Sequence, residues 1–174
     1  MIEADETLVM YGGGAHEVAR RMLPGLPDSR FVSVAAQPPE RSGAARLREA
    51  FETALKDAPA RVVLVAGIDE QALLLGGDRG VAGVLGSITL DMDGGVALAA
   101  EVTEAPTTRA AYEAWDAAGK LGPCGRELCR RTAGELERLA AAGAGASTSP
   151  VAAQVVLLDP ACERMVGMYG RMAR

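Results

Sequence analysis

Arg61-Val62-Val63-Leu64-Val65-Ala66 is an unbroken apolar run with no polar face after its first residue. A strand of that kind is covered on both sides, as the inner strands of parallel sheets are. Upstream of it, Leu47, Phe51 and Leu55 recur every four residues, so residues 43–56 read as an amphipathic helix introduced by Ser42. Residues 31–35 read as a second strand. Residues 15–23, with Val18, Met22 and Leu23 and a stop at Pro24-Gly25, read as a helix. The apolar residues 7–11 form a first buried strand that ends at Gly12-Gly13-Gly14.

Downstream of the central run, residues 69–75 read as a short helix ended by Gly76-Gly77. Residues 81–90 and 96–102 flank Asp91-Met92-Asp93-Gly94-Gly95, which has the turn chemistry of a β-hairpin. The predicted order is βαβαβαββ, an α/β fold with a mostly parallel sheet of about five strands and flanking helices. Past Glu104, helices are expected over 107–118 and 126–142, followed by a small-residue loop over 143–149. Residues 151–158 read equally as a last strand or the start of a helix, and 160–174 as a helix with Met165 and Met168 on one side. The expected organisation is one domain over 1–174, a sheet core in 1–103 and a helical extension in 104–174.

Composition narrows the function classes. With 49% hydrophobic and 24% charged residues in 174, the chain is an ordinary globular one. A net charge of -5, with arginines scattered among carboxylates, argues against nucleic acid and anionic membrane as partners. Sixteen arginines against only Lys56 and Lys120 suggest a GC-rich genome, which also devalues the Ala and Gly runs. The start, with Glu3, Asp5 and Glu6, lacks the basic-then-apolar form of a signal peptide, and a cytoplasmic setting is expected. No run approaches the roughly 18 residues of a membrane span. Three cysteines in that setting predict buried thiols, not a disulfide framework.

Ligands of open α/β sheets bind outside the carboxyl ends of the strands. Candidate ligand-binding residues are therefore Gly12, Gly13, Gly14, Ser42 and Asp69. Gly12-Gly13-Gly14-Ala15-His16-Glu17 offers main-chain N–H groups to an anion at a helix start, and equally has the form of a tight βα turn. It departs from G-x-G-x-x-G at Glu17 and lacks the Lys and Ser/Thr of a P-loop. His16, the single histidine, and Glu17 are the candidate acid and base. Cys124, if it opens a helix after Pro123, is the candidate reactive thiol, with Cys129 and Cys162 in the core. The five-residue spacing of Cys124 and Cys129 fits no zinc pattern, and Asp91 with Asp93 reads as turn chemistry before Mg²⁺ ligation, so no metal is expected. Nothing names a cofactor.

Residues 44–70, a helix running into the central strand and on to Ile68-Asp69-Glu70, and then Asp93-Gly94-Gly95-Val96-Ala97-Leu98-Ala99-Ala100-Glu101, resemble the nucleophile half of the thiolase and ketosynthase fold. That resemblance covers about a third of the chain. In the family a catalytic cysteine begins the helix before the central strand, where this chain has Pro39-Glu40-Arg41-Ser42-Gly43. The resemblance therefore implies a degenerate, non-condensing relative. Residues 65–87 are also similar to the later strands of pyruvate-lyase-type aldolase barrels, without a strand lysine for a Schiff base.

These readings lead to a non-catalytic or accessory domain that binds a protein partner or a small acyl or anionic ligand. One alternative is a small enzyme holding an anionic substrate at 12–17 with His16 as acid or base. Another is a structural subunit of a homo- or hetero-oligomer.

Overall fold

A computed structural model describes residues 7–34, 43–55, 61–144 and 151–170. Five strands form one sheet: β1 (Thr7–Tyr11), β2 (Phe31–Ser33), β3 (Arg61–Ala66), β4 (Ala152–Leu158) and β5 (Met165–Tyr169). Their order across the sheet is β2-β1-β3-β4-β5, with every pairing parallel except β4 with β5. The run quoted first is the middle strand, paired with β1 through Val9 and Val63 and with β4 through Leu64 and Val155. Val62, Val63, Leu64 and Val65 are all buried, as expected. The α/β class with a five-stranded, mostly parallel sheet is borne out.

The period of two along each strand sorts the core into two. Leu8, Met10, Val62, Leu64, Val155 and Leu157 face one helical layer; Val9, Val63, Val65, Val156 and Leu158 face the other. The second face is covered by α1 (His16–Met22) through Ala15, Val18 and Ala19. The first face carries α2 (Gly43–Leu55), whose Leu47, Phe51 and Leu55 are at most 1% exposed. Each contributes about 2 kcal/mol by leaving water.

The long connection from β3 to β4 is helical throughout: α3 (Ile68–Asp91), α4 (Val96–Glu104), α5 (Thr108–Ala117) and α6 (Leu121–Ala144). α3 is bent by 104° between Ile68–Gly77 and Gly80–Asp91. Gly77 has φ +72°, a left-handed backbone that a side chain would strain, so the glycine pair does end the first helical segment. Thr107 caps α5 by accepting from the Ala110 N–H at 3.0 Å.

Four local assignments are corrected. Residues 81–90 are helical because Val81, Leu85 and Ile88 fall on one helical face, and Thr89 Oγ1, while donating to Leu85 O, accepts from Trp115 Nε1 at 2.8 Å. Residues 96–102 are helical for the same reason, with Leu98, Ala99 and Val102 buried. The expected hairpin turn joins two helices instead: the N–H groups of Met92, Asp93 and Gly94 donate to Ile88, Leu90 and Thr89 carbonyls. Residues 165–169 form β5, not a helix, so Met165 is exposed on an edge strand while Met168 packs on the α1-side core. The division at 103/104 also fails, because β4 completes the sheet from beyond the helices. No single helix among the described residues is long and apolar enough to cross a membrane.

Candidate functional site

The chain leaves β1 toward β2 on one side and β3 lies on the other, so the crevice of this sheet opens between the carboxyl ends of β1 and β3. Three segments meet there: Gly12-Gly13-Gly14 after β1, Gly67 with the first turn of α3 after β3, and Asp159 to Cys162 after β4.

Glu70, whose pairing with Asp69 after the central strand made the two a candidate acidic pair, is the side chain that reaches the glycine turn. Its Oε1 accepts from the Gly13 N–H at 2.9 Å. A Cβ on Gly12 would stand 2.3 Å from that oxygen, so glycine at 12 is what admits the carboxylate. From the third loop, the Cys162 thiol lies 3.5 Å from the Gly13 carbonyl and donates to it. Gly13 is thereby held through both its N–H and its carbonyl, by a side chain from α3 and one from the loop after β4. Cys162 adopts φ +56°, a left-handed conformation uncommon for a side-chain-bearing residue. The turn around it is fixed by Asp159, whose Oδ1 accepts from the Glu163 and Arg164 N–H groups at 2.9 and 3.0 Å.

Beneath the rim, Gln71 is fully buried, and its Nε2 donates to Ala66 O at 3.1 Å and Val156 O at 3.2 Å. That amide ties the carboxyl ends of β3 and β4 together. Its signal in the sequence, a lone Gln directly after a pair of acids, is too common to find from spacing.

The electrostatics of the rim are unsettled. Burial raises the Glu70 carboxyl above its usual range, only partly offset by main-chain N–H donors, and Asp69 adds to the rise. Burial raises Asp69 as well. The Cys162 thiol is pushed up by burial and then by the nearby charges of Glu70, Asp159 and Asp69, so it is a neutral thiol at pH 7.

The anion reading of residues 12–17 meets a physical obstacle. The Gly12 N–H donates to Val65 O, the Gly13 N–H to Glu70 and the Ala15 N–H to Gly12 O, so these three donors are engaged and a carboxylate already sits among them. His16 is exposed and stacks on Tyr11 with ring centroids 4.9 Å apart. Glu17 is exposed and lies 3.9 Å from Arg21. Asp69 is at the rim but does not cap α3, whose cap residue is Gly67. Ser42 lies outside the described residues.

Cys124 is corrected. It lies in the first turn of α6 but is fully buried, and burial pushes its thiol up to about 11, which outweighs the helix dipole and Lys120. Cys129 is in the core as expected, pushed up to about 12 by burial, whereas Cys162, expected in the core, is half-buried at the rim. Asp91 ends α3 and pairs with Arg131. Among the described residues no three His, Cys, Asp or Glu side chains gather as a metal site.

Fold and rim together define an open α/β sheet whose switch point brings Asp69 and Glu70 beside the glycine turn. Over nearly its whole length the chain is similar to two enzymes, the cobalt-precorrin-5B C(1)-methyltransferases of Salinispora tropica and Salinispora arenicola. It is 34% identical to each over 181 aligned residues, which take in 99% of this chain and 43% of each relative. The chain thus spans less than half the length of the curated relatives it matches. No protein-family model and no solved structure matches it. The expectation of a non-catalytic, accessory or thiolase-like protein is overturned, since the proteins it resembles across 99% of its residues are named as methyltransferases.

Proposed function

We propose that this chain is the sheet-bearing portion of a methyltransferase of the cobalt-precorrin-5B C(1) type, and that its acidic carboxyl rim holds the methyl donor. The observation that carries this reading is the similarity to two such enzymes over 99% of the chain. The rim supports it through charge. A methyl group moves to a carbon nucleophile from an electrophilic donor, and a sulfonium such as that of S-adenosylmethionine supplies such a methyl when bound.

The residues present suit a cation. Asp69, exposed, and Glu70, half-buried, lie side by side at the rim, and burial raises both carboxyls, so a bound cation would lower the cost of keeping them ionised. Glu70 also holds Gly13 in place, keeping the turn closed against β3. Cys162 stays protonated beside these carboxylates. A thiolate there would compete for the methyl group; a thiol does not.

Calorimetric titration of the chain with S-adenosylmethionine tests the site, and transfer of labelled methyl to cobalt-precorrin-5B tests the activity. Saturable binding weakened about tenfold by Glu70→Ala is the expected result. No binding, together with no labelled product, would refute the reading.

A further inference from the structure

The two margins of the sheet differ in how they are finished. β2 is three residues long, and short edge strands offer little to pair with. β5 runs for five residues, Met165-Val166-Gly167-Met168-Tyr169, without a charge or a proline. One side of β5 pairs with β4; among the described residues no strand lies on the other. Met165 is 49% and Tyr169 36% exposed.

Beside this edge lies a cavity of 630 Å³ lined by Arg126, Glu137, Ala153, Met168, Tyr169 and Gly170. Arg126, on α6, is exposed and makes no ion pair with the described residues. Glu137 is engaged, accepting from the Ala153 N–H at 3.3 Å. An open row of main-chain donors and acceptors, an exposed aromatic ring and an unpaired guanidinium suit an extended strand with apolar side chains and one carboxylate.

We infer that the outer edge of β5 is an interface whose occupant is an extended segment from the portion of the methyltransferase that the relatives have and this chain does not span. The 43% coverage of those relatives supplies the argument: more than half of each must pack against something, and among the described residues this is the longer of the two sheet margins that no strand covers. The inference rests on the reading under Proposed function. It is nevertheless tested separately, because strand pairing is measured without any methyl transfer.

Hydrogen exchange read by mass spectrometry, on this chain and on the full-length Salinispora tropica relative, is the experiment. Amides of 165–169 are expected to exchange at least about a hundredfold faster in this chain than those of the aligned strand in the relative. Those of β3 are expected to be protected in both. Equal rates at the edge would overturn the inference. Light scattering on the chain and on Met165→Lys covers the remaining occupant: a dimer of the chain that this substitution breaks would assign the edge to a second copy and equally overturn it. A chain that stays monomeric with a fast-exchanging edge, beside a protected edge in the relative, upholds it.

Discussion

Glu70 and Glu127 are both carboxylates withdrawn from water, and they end in opposite electrostatic states. Glu127, on α6, is 7% exposed and accepts from Arg130 at 2.6 and 2.7 Å and from Arg131 at 2.9 Å. Those bonds, Arg130 first, outweigh burial and hold its carboxyl down at about 2. Arg131 in turn reaches Asp91 and Ser87, so this acid seals the second half of α3 against α6. Glu70 receives no arginine among the described residues, accepts a main-chain N–H, and is shifted up by burial. A carboxylate whose charge is satisfied by protein is part of the framework, whereas one left in want of a cation at a crevice is disposed to bind.

Breaking the first of these has the largest expected effect. Glu127→Ala removes the acceptor shared by Arg130 and Arg131, leaving Arg131 with Asp91 and Ser87, and should cost about 2 kcal/mol in urea unfolding, less than a fully buried pair because Arg130 is more than half exposed. The pH dependence follows from the lowered value. Glu127 stabilises above its unfolded value of 4.5, and that contribution fades as pH falls from 4.5 toward about 2. Unfolding curves of wild type and variant should therefore converge in that window.

Gly12→Ala comes next. Its Cβ would displace the Glu70 carboxylate and free the Gly13 N–H, an expected loss of about 1–2 kcal/mol together with donor binding. Glu70→Gln is milder and opposite in sign. Because the folded value of Glu70 is raised, ionising it costs stability as pH rises above 4.5 and nothing below. The amide keeps an acceptor for Gly13 without a charge to desolvate, so the variant should match or exceed wild type by up to about 1 kcal/mol at pH 7. The difference should vanish near pH 4, while donor binding weakens.

The smallest effect is chemical. In the native protein at pH 8, an alkylating reagent should label Cys162 well before Cys124 or Cys129, because only Cys162 reaches the surface. Peptide mapping by mass spectrometry reads the order.

The described residues up to Ala66 were legible because local pattern and tertiary role agree there. Val62 to Val65 have no polar face and lie at the sheet's centre, and Leu47, Phe51 and Leu55 keep helical spacing and point into its core. Agreement fails in residues 81–102. Val81, Val84, Ile88 and Thr89 are β-branched, and Asp93-Gly94-Gly95 is good hairpin chemistry, yet Thr89 meets Trp115 twenty-six residues on and the helical pairing wins. The site divides in the same way. The glycine turn was visible as a glycine turn, but its occupant, Glu70, lies 57 positions away and Cys162 lies 149 away.

By itself the sequence determined the class and the central strand, since burial on two faces is a property of neighbouring residues. Only the tertiary structure decided that β4 and β5 complete the sheet, that Cys124 is buried, and that Glu70 and Cys162 meet at Gly13. Those outcomes depend on which distant groups share a desolvated space, and desolvation and charge pairing have no period along the chain.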